Sequence, residues 1–202
     1  MRNYINDIEK FIERNLNYLI VMILTTVLVG FLLSLFILLS SIVYIDDNFS
    51  FFMGELSILF SLCIIPYICF KKFIYKKLRF SEKVVNLITW IIVAILGSLI
   101  WLDFETSLHF MVIAISEEIL FREIYYQYLL KDDERNKHHV ISAMFLVSFV
   151  FAIILHINDN FLINILVRFP FGLLLFVIRN KINLKSAILF HWLYDVIITL
   201  GV

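Results

Sequence analysis

The stretch Ser116-Glu117-Glu118-Ile119-Leu120-Phe121-Arg122-Glu123 places four ionisable side chains inside an apolar run that otherwise reads as membrane-spanning. A charged residue at a bilayer centre costs about 2.5 to 3.5 kcal/mol on translocon scales, so a helix with Glu117, Glu118 and Arg122 near its middle needs internal partners or water. The default explanation is a functional site; the bland alternative is an inert buried network. On an α-helix Glu118 and Arg122 stand four apart and pair on one face, while Glu117, about 100° round, points to a different neighbour. One acid is thereby neutralised locally and the other is left free.

Working outward, composition sets the class. With 62% hydrophobic residues, 17% charged residues, 21 Phe and two Pro in 202 positions, the chain is expected to be an all-α, polytopic transmembrane helical bundle rather than a soluble domain. Lys plus Arg and Asp plus Glu stand at 17 each, so net charge indicates no acidic or nucleic-acid partner. The basic, aromatic stretch at 71–79 follows directly on an apolar run, where lysines attract anionic lipid and fix topology; no nucleic-acid role is assigned to it. Cys63 and Cys69 share one apolar segment, are read as small buried hydrophobes, and imply no disulfide framework. The run after residues 1–17 is too long for a signal-peptide core, so the first span is expected to stay in the mature protein.

Spans of about 20 apolar residues are expected at roughly 18–45, 49–70, 84–103, 106–130, 140–157, 160–178 and 184–201. With the N-terminus inside, the cytoplasmic segments 1–17, 71–83, 131–139 and 179–185 carry 15 of the 17 Lys and Arg, and the outer breaks carry none. That asymmetry predicts seven spans with N-in, C-out topology. Arg122 and Arg168 are the two basic residues left within spans. Glu55, near the outer end of span two, and His109, near the outer start of span four, are read as solvated; His138 and His139 belong to a charged loop.

Further chemistry lies in the last spans. His156 ends the fifth apolar run, and His191 and Asp195, four apart in the seventh, share one helix face. Taken alone, either histidine is better read as a satisfied packing residue. Together with Glu117 they form a set that lipid cannot solvate and that is suited to activating water. Counted at 1.5 Å per residue, His191 lies about 10 Å and His156 about 24 Å from the inner ends of their spans, a mismatch that tilt or a deeper span five has to close.

These residues carry a resemblance. The chain resembles the CPBP family of intramembrane proteases, also called the CAAX-protease and bacteriocin-processing or Abi family, with the pattern Glu-Glu-x-x-x-Arg, Phe-x-x-x-His and His-x-x-x-Asn or Asp. Glu117, Glu118 and Arg122 match the first motif and His191 with Asp195 the third, in its acidic variant. His156 matches the second, although Ala152 stands four before it and Phe151 five before. The resemblance covers roughly 85–202 as a protease core, leaving 1–84 as an N-terminal segment with two spans and a basic loop.

The resemblance implies hydrolysis of a peptide bond in a membrane-associated protein or peptide, of CAAX type or a bacteriocin or pheromone leader. By position, Glu117 would be the base, His156 would help hold the water, Arg122 would anchor Glu118, and His191 would face the oxyanion with Asp195 beside it. A divalent metal such as zinc is the cofactor the family raises, with His156, His191 and Glu117 as its candidate ligands. Richness in Ile, Asn, Lys and Phe points to a low-GC bacterium, hence its plasma membrane. The competing readings are a bacteriocin-immunity or peptide-binding protein without turnover, and a small transporter, against which the lack of duplicated halves counts.

Overall fold

The computed structural model describes residues 2–42, 47–71, 92, 102–130, 137–156 and 160–200, and among them all regular structure is helical. Helix α1 (Arg2–Ile42) is followed by α2 (Asp47–Leu59), which passes through a wide π turn (Phe60–Ile64) into α3 (Ile65–Phe70). Helix α4 (Phe104–Glu118) likewise widens at Ile119–Tyr125 before α5 (Tyr126–Leu130). Helix α6 (Lys137–Phe149) ends in a π turn at Val150–Leu155. The short α7 (Phe161–Ile163) and a π turn at Asn164–Arg168 lead into α8 (Phe169–Lys181), and α9 (Leu184–Thr199) closes the bundle. Most of the sequence-expected span 84–103 and of the basic segments 71–83 and 131–139 lies outside the described residues.

Three stretches are long and apolar enough to cross a membrane: Leu16–Leu35, Phe49–Phe70 and Phe161–Lys181. They turn large side chains outward, with Leu24, Phe31 and Ile68 each 64% exposed and Leu166 70% exposed. In water so much exposed apolar surface would drive association, whereas lipid solvates it. The chain is a membrane protein. The run at His139–Leu155 is shorter, α9 has 16 residues, and α4 with its continuation carries too many charges to qualify by apolarity alone.

The polar breaks in the hydropathy pattern are used as helix N-caps, because a short polar side chain can accept from the otherwise unpaired N–H groups of the first turn. Asp103 accepts from Thr106 N, Asn160 from Leu162 N and Asn183 from Ser186 N, each at 2.9 Å.

The core centres on the π turn after α4. Leu120, Phe121, Ile124 and Tyr125 are fully buried and pack with Val147, Val150, Phe151 and Ala152, with Phe176 of α8, and with Met22 and Val29 of α1. Between helices already in lipid, such packing and interhelical hydrogen bonds replace the hydrophobic drive. Helix α1 supplies both, since Thr26 Oγ1 lies 3.0 Å from the Tyr125 hydroxyl. Gly172 lets α8 come close to α6, for a Cβ there would stand 3.2 Å from Phe151 Cδ1 and 3.3 Å from Ser148 Cβ. Only one cysteine approaches the expected burial: Cys63 is half-buried, while Cys69 on α3 is exposed.

Candidate active site

Glu118 closes α4, and Arg122 follows four residues later in the middle of the wide turn, so the pair spaced by four meets as expected: Arg122 Nε lies 3.2 Å from Glu118 Oε2, with both side chains fully buried. The contact is a charge pair rather than an aligned hydrogen bond, since Arg122 Nε and Nη1 find no hydrogen-bond acceptor among the described residues. Aromatic faces complete the guanidinium's surroundings. Its carbon stands 4.7 Å from the Phe151 ring centre, 5.1 Å from Phe176 and 5.9 Å from Phe121, while Nη2 reaches Gly172 O at 3.4 Å. Ring quadrupoles stabilise a desolvated cation and hold it in a plane.

Helix α9 presents His191 and Asp195 on one face. His191 Nδ1 donates to Glu118 Oε1 at 2.9 Å, so Glu118 divides its two oxygens between arginine and histidine. The other ring nitrogen, Nε2, faces Glu117 Oε2 at 3.6 Å and Asp195 Oδ2 at 3.9 Å. Glu117 is thus free of Arg122, as the sequence indicates, yet it is not alone. Its neighbour is the histidine from the last helix.

His156 reaches the same cavity, and the departure from the motif spacing has a physical origin. Phe151 and His156 are five apart across the π turn Val150–Leu155, and a π turn closes i to i+5 where an α turn closes i to i+4. One extra residue therefore leaves the two side chains stacked as a spacing of four would in an α-helix. Their rings meet edge to face at 5.5 Å, and Phe151 also meets His191 edge to face at 5.8 Å. Phe151 thus touches His156, His191 and Arg122 together. The depth mismatch counted along the separate spans disappears, since both imidazoles border one ring.

Glu117, His156, His191 and Asp195 line a cavity of about 230 Å³, with Arg168 and Tyr194 also on its wall. Asn164 links this wall together: its Nδ2 donates to His156 O at 2.8 Å and its Oδ1 accepts from Arg168 Nη1 at 2.6 Å. Sequence reasoning left Asn164, Arg168, Gly172 and the contacts of Phe151 unassigned. Only Arg168 had a signal there, as a cation inside a span.

Two assignments are corrected. Glu55, expected to be solvated, is 6% exposed, and His109 is half-buried; His109 Nδ1 and Glu55 Oε1 form a bond of 2.7 Å across α4 and α2. Each side chain comes from a segment 54 positions from the other, so neither reveals its partner locally. Among the described residues no three His, Cys, Asp or Glu side chains converge as a metal-holding group.

A helical bundle in which Glu117, Asp195 and two imidazoles line one cavity, with the paired Glu118 holding His191 from behind, is a candidate acid–base site of a membrane protein. The model of the family described as type II CAAX prenyl endopeptidase Rce1-like matches residues 83–197. The chain belongs to this family of proteases, consistent with the CPBP assignment of its motifs. Comparison with curated proteins and with solved structures finds no match.

Proposed function

We propose that the chain is an intramembrane endopeptidase in which water activated by Glu117 hydrolyses a peptide bond of a membrane-associated protein or peptide. The observation that carries this reading is the Glu117 carboxyl, 3.6 Å from His191 Nε2 in the cavity shared with His156. Glu117 takes a proton from water as the water oxygen adds to the carbonyl carbon, and His156 holds that water. The oxyanion faces His191. As the C–N bond breaks, Glu117 passes its proton to the leaving nitrogen, giving a carboxyl and an amine. A donor aimed at the oxyanion is usually the largest single term in acyl transfer.

Glu118 orients the donor. With Nδ1–H given to Glu118, His191 presents a proton at Nε2 only as imidazolium, and Glu117, Glu118 and Asp195 around it supply the countercharge. Arg122 in turn keeps Glu118 in place. Asp195, four residues on, orients the ring from the other side.

The remaining parts of the reading are these. The chain crosses a bacterial plasma membrane seven times with its N-terminus inside, 1–84 precedes a protease core at 85–202, and the substrate is a peptide leader rather than a eukaryotic prenylated protein. The charge asymmetry of the loops supports the orientation. A reporter fused after Asn160 should then signal the exterior and one after Lys181 the cytoplasm; the reverse would sink the topology. The reading as a whole is tested by profiling peptides in membranes that carry wild type or Glu117→Gln. New termini present only with wild type are expected, and identical profiles would return the cavity to a binding or immunity role.

A further inference from the structure

Glu123, the last ionisable side chain of the stretch Ser116–Glu123, does not line the cavity. It sits in the wide turn one residue beyond Arg122, only 13% exposed, and meets Arg179 near the end of α8, whose Nη2 donates to Glu123 Oε1 at 2.9 Å. The other carboxylate oxygen accepts from Gln127 Nε2. Arg179 also donates through Nη1 to Asn180 Oδ1 at 3.0 Å, and Asn180 Nδ2 reaches the Tyr126 hydroxyl at 3.5 Å and Met144 Sδ of α6 at 3.8 Å. The Arg179 guanidinium carbon stands 5.1 Å from the Tyr126 ring centre.

This cluster is the polar end of a longer contact. Gly172, Phe176 and Arg179, spaced by four and then three, share one face of α8. Gly172 O faces Arg122 Nη2, the Phe176 ring centre is 5.1 Å from the Arg122 guanidinium and 5.0 Å from that of Tyr126, and Arg179 holds Glu123. Of these contacts only the last is short and directional. Gly172 O is 3.4 Å from Arg122, and Nε and Nη1 of Arg122 find no hydrogen-bond acceptor among the described residues. The arginine that holds Glu118 is therefore kept in place by where α8 puts Phe176 and Gly172.

We propose that Glu123 and Arg179 are positioning residues of the site: their ion pair fixes the register of α8 against the helix that carries Glu117 and Glu118, and so holds Arg122, Glu118 and the His191 ring in their alignment. Apolar faces alone specify register weakly, whereas a paired polar group specifies one. A Glu–Arg pair withdrawn from water adds little stability over apolar residues of the same volume, so register is its contribution. The contacts are continuous from Arg179 through Tyr126 and Phe176 to Arg122, then to Glu118 at 3.2 Å and from Glu118 to His191 at 2.9 Å. The effect on turnover rests on the protease reading; the effect on the His191 ring does not.

Full-length protein in detergent, labelled with [15N]histidine, reports the Nδ1–H proton that His191 gives to Glu118. Its resonance is assigned by loss in His191→Gln and survival in His109→Gln. Glu123→Gln and Arg179→Gln should each shift it upfield as the hydrogen bond lengthens. The swapped pair, Glu123→Arg with Arg179→Glu, should bring it back, because the Gln127 amide serves either charge. The single variants should lose about 10- to 100-fold in kcat, the scale of a small misplacement, with KM within about twofold, and the swap should recover about tenfold. Asn180→Ala weakens the same tie without unpairing a charge; it should give a smaller upfield shift, and it keeps the test open if a charge variant fails to insert. Asp103→Ala is the control: it removes the cap at the opposite end of α4 and lowers melting, and the resonance should stay in place. A resonance unmoved in Glu123→Gln, Arg179→Gln and Asn180→Ala overturns the proposal. So does an equal shift in Asp103→Ala, which would report loosening of the whole bundle. Shifts without any cleavage by wild type would keep the tie and remove the protease; cleavage with kcat and resonance unchanged in the variants would do the opposite.

Discussion

His191 Nδ1 lies 2.9 Å from Glu118 Oε1, so the histidine that faces Glu117 is held by the acid next to Glu117 in the chain. Adjacent glutamates on one helix point about 100° apart, and here one turns to the cavity while the other grips both Arg122 and His191 from behind. The doubled acid of the motif is a division of labour between a proton carrier and a fastener.

Loss of the fastener should cost folding more than loss of the carrier. Glu118→Gln or Arg122→Ala leaves a fully buried charge uncompensated, at about 3 to 5 kcal/mol, whereas Glu117→Gln is close to neutral or stabilising. Thermal melting in detergent checks this. Equal melting for all three would contradict the roles. Arg122→Lys should rescue little, because an ammonium cannot lie flat against Phe151 and Phe176.

Gly172→Ala should lower stability by about 1 to 3 kcal/mol, the usual scale of overpacking, since the new methyl meets Phe151 and Ser148. Activity should fall with it, because the displaced ring is the one that borders His156, His191 and Arg122. Gly30→Ala is the control: nothing lies within 4 Å of its Cβ position. The idea fails if the two variants melt together.

Deleting Ile153 should convert the π turn before His156 to an α turn and bring Phe151 to four residues before the histidine. The contact of the two rings is retained, so cleavage should persist within about tenfold. Inserting one Ala at the same place should abolish it by swinging His156 roughly 100° from the cavity. Activity after insertion together with loss after deletion would show that the wide turn itself is required.

Asp195 separates mechanisms. If it only orients His191, Asp195→Asn, which restores the commoner family residue, should keep most activity. If it charges His191 or takes part in a metal site, the loss should be about 10- to 100-fold. Chelation is the companion measurement. Water activated by Glu117 alone predicts unchanged turnover after exhaustive chelation, and a loss restored by zinc would make His156, His191 and Glu117 ligands after all.

What could be read from the chain follows from the range of the interactions. Glu118 with Arg122, and His191 with Asp195, are spaced by one helical turn, and both pairs were legible because helix geometry alone brings such residues together. The same geometry left Glu117 unpaired by Arg122, as observed. Contacts between helices were not legible. Glu55 and His109 each stand alone in a local window and meet only because α2 packs on α4. The aim of Asn164 depends on where α6 ends, and the near approach at Gly172 depends on the opposing face of that helix. Periodicity reports which positions share a face, without naming the face across from them. The spacing of Phe151 was misleading for a different reason: it was judged by an α turn where the chain uses a π turn.

The bond between Thr26 and Tyr125 bears on evolution and engineering alike. Met22 and Val29, one turn either side of that threonine, are buried in the core that also holds Phe121 and Tyr125, although α1 lies wholly ahead of the matched residues 83–197. Removing α1 would strand a buried tyrosine hydroxyl, at about 1 to 3 kcal/mol, and strip one wall from the core behind Phe121 and Arg122. Swapping it between relatives should succeed only when the threonine travels with it, and a minimal protease trimmed to the matched segment would inherit the chemistry without the frame that keeps it rigid.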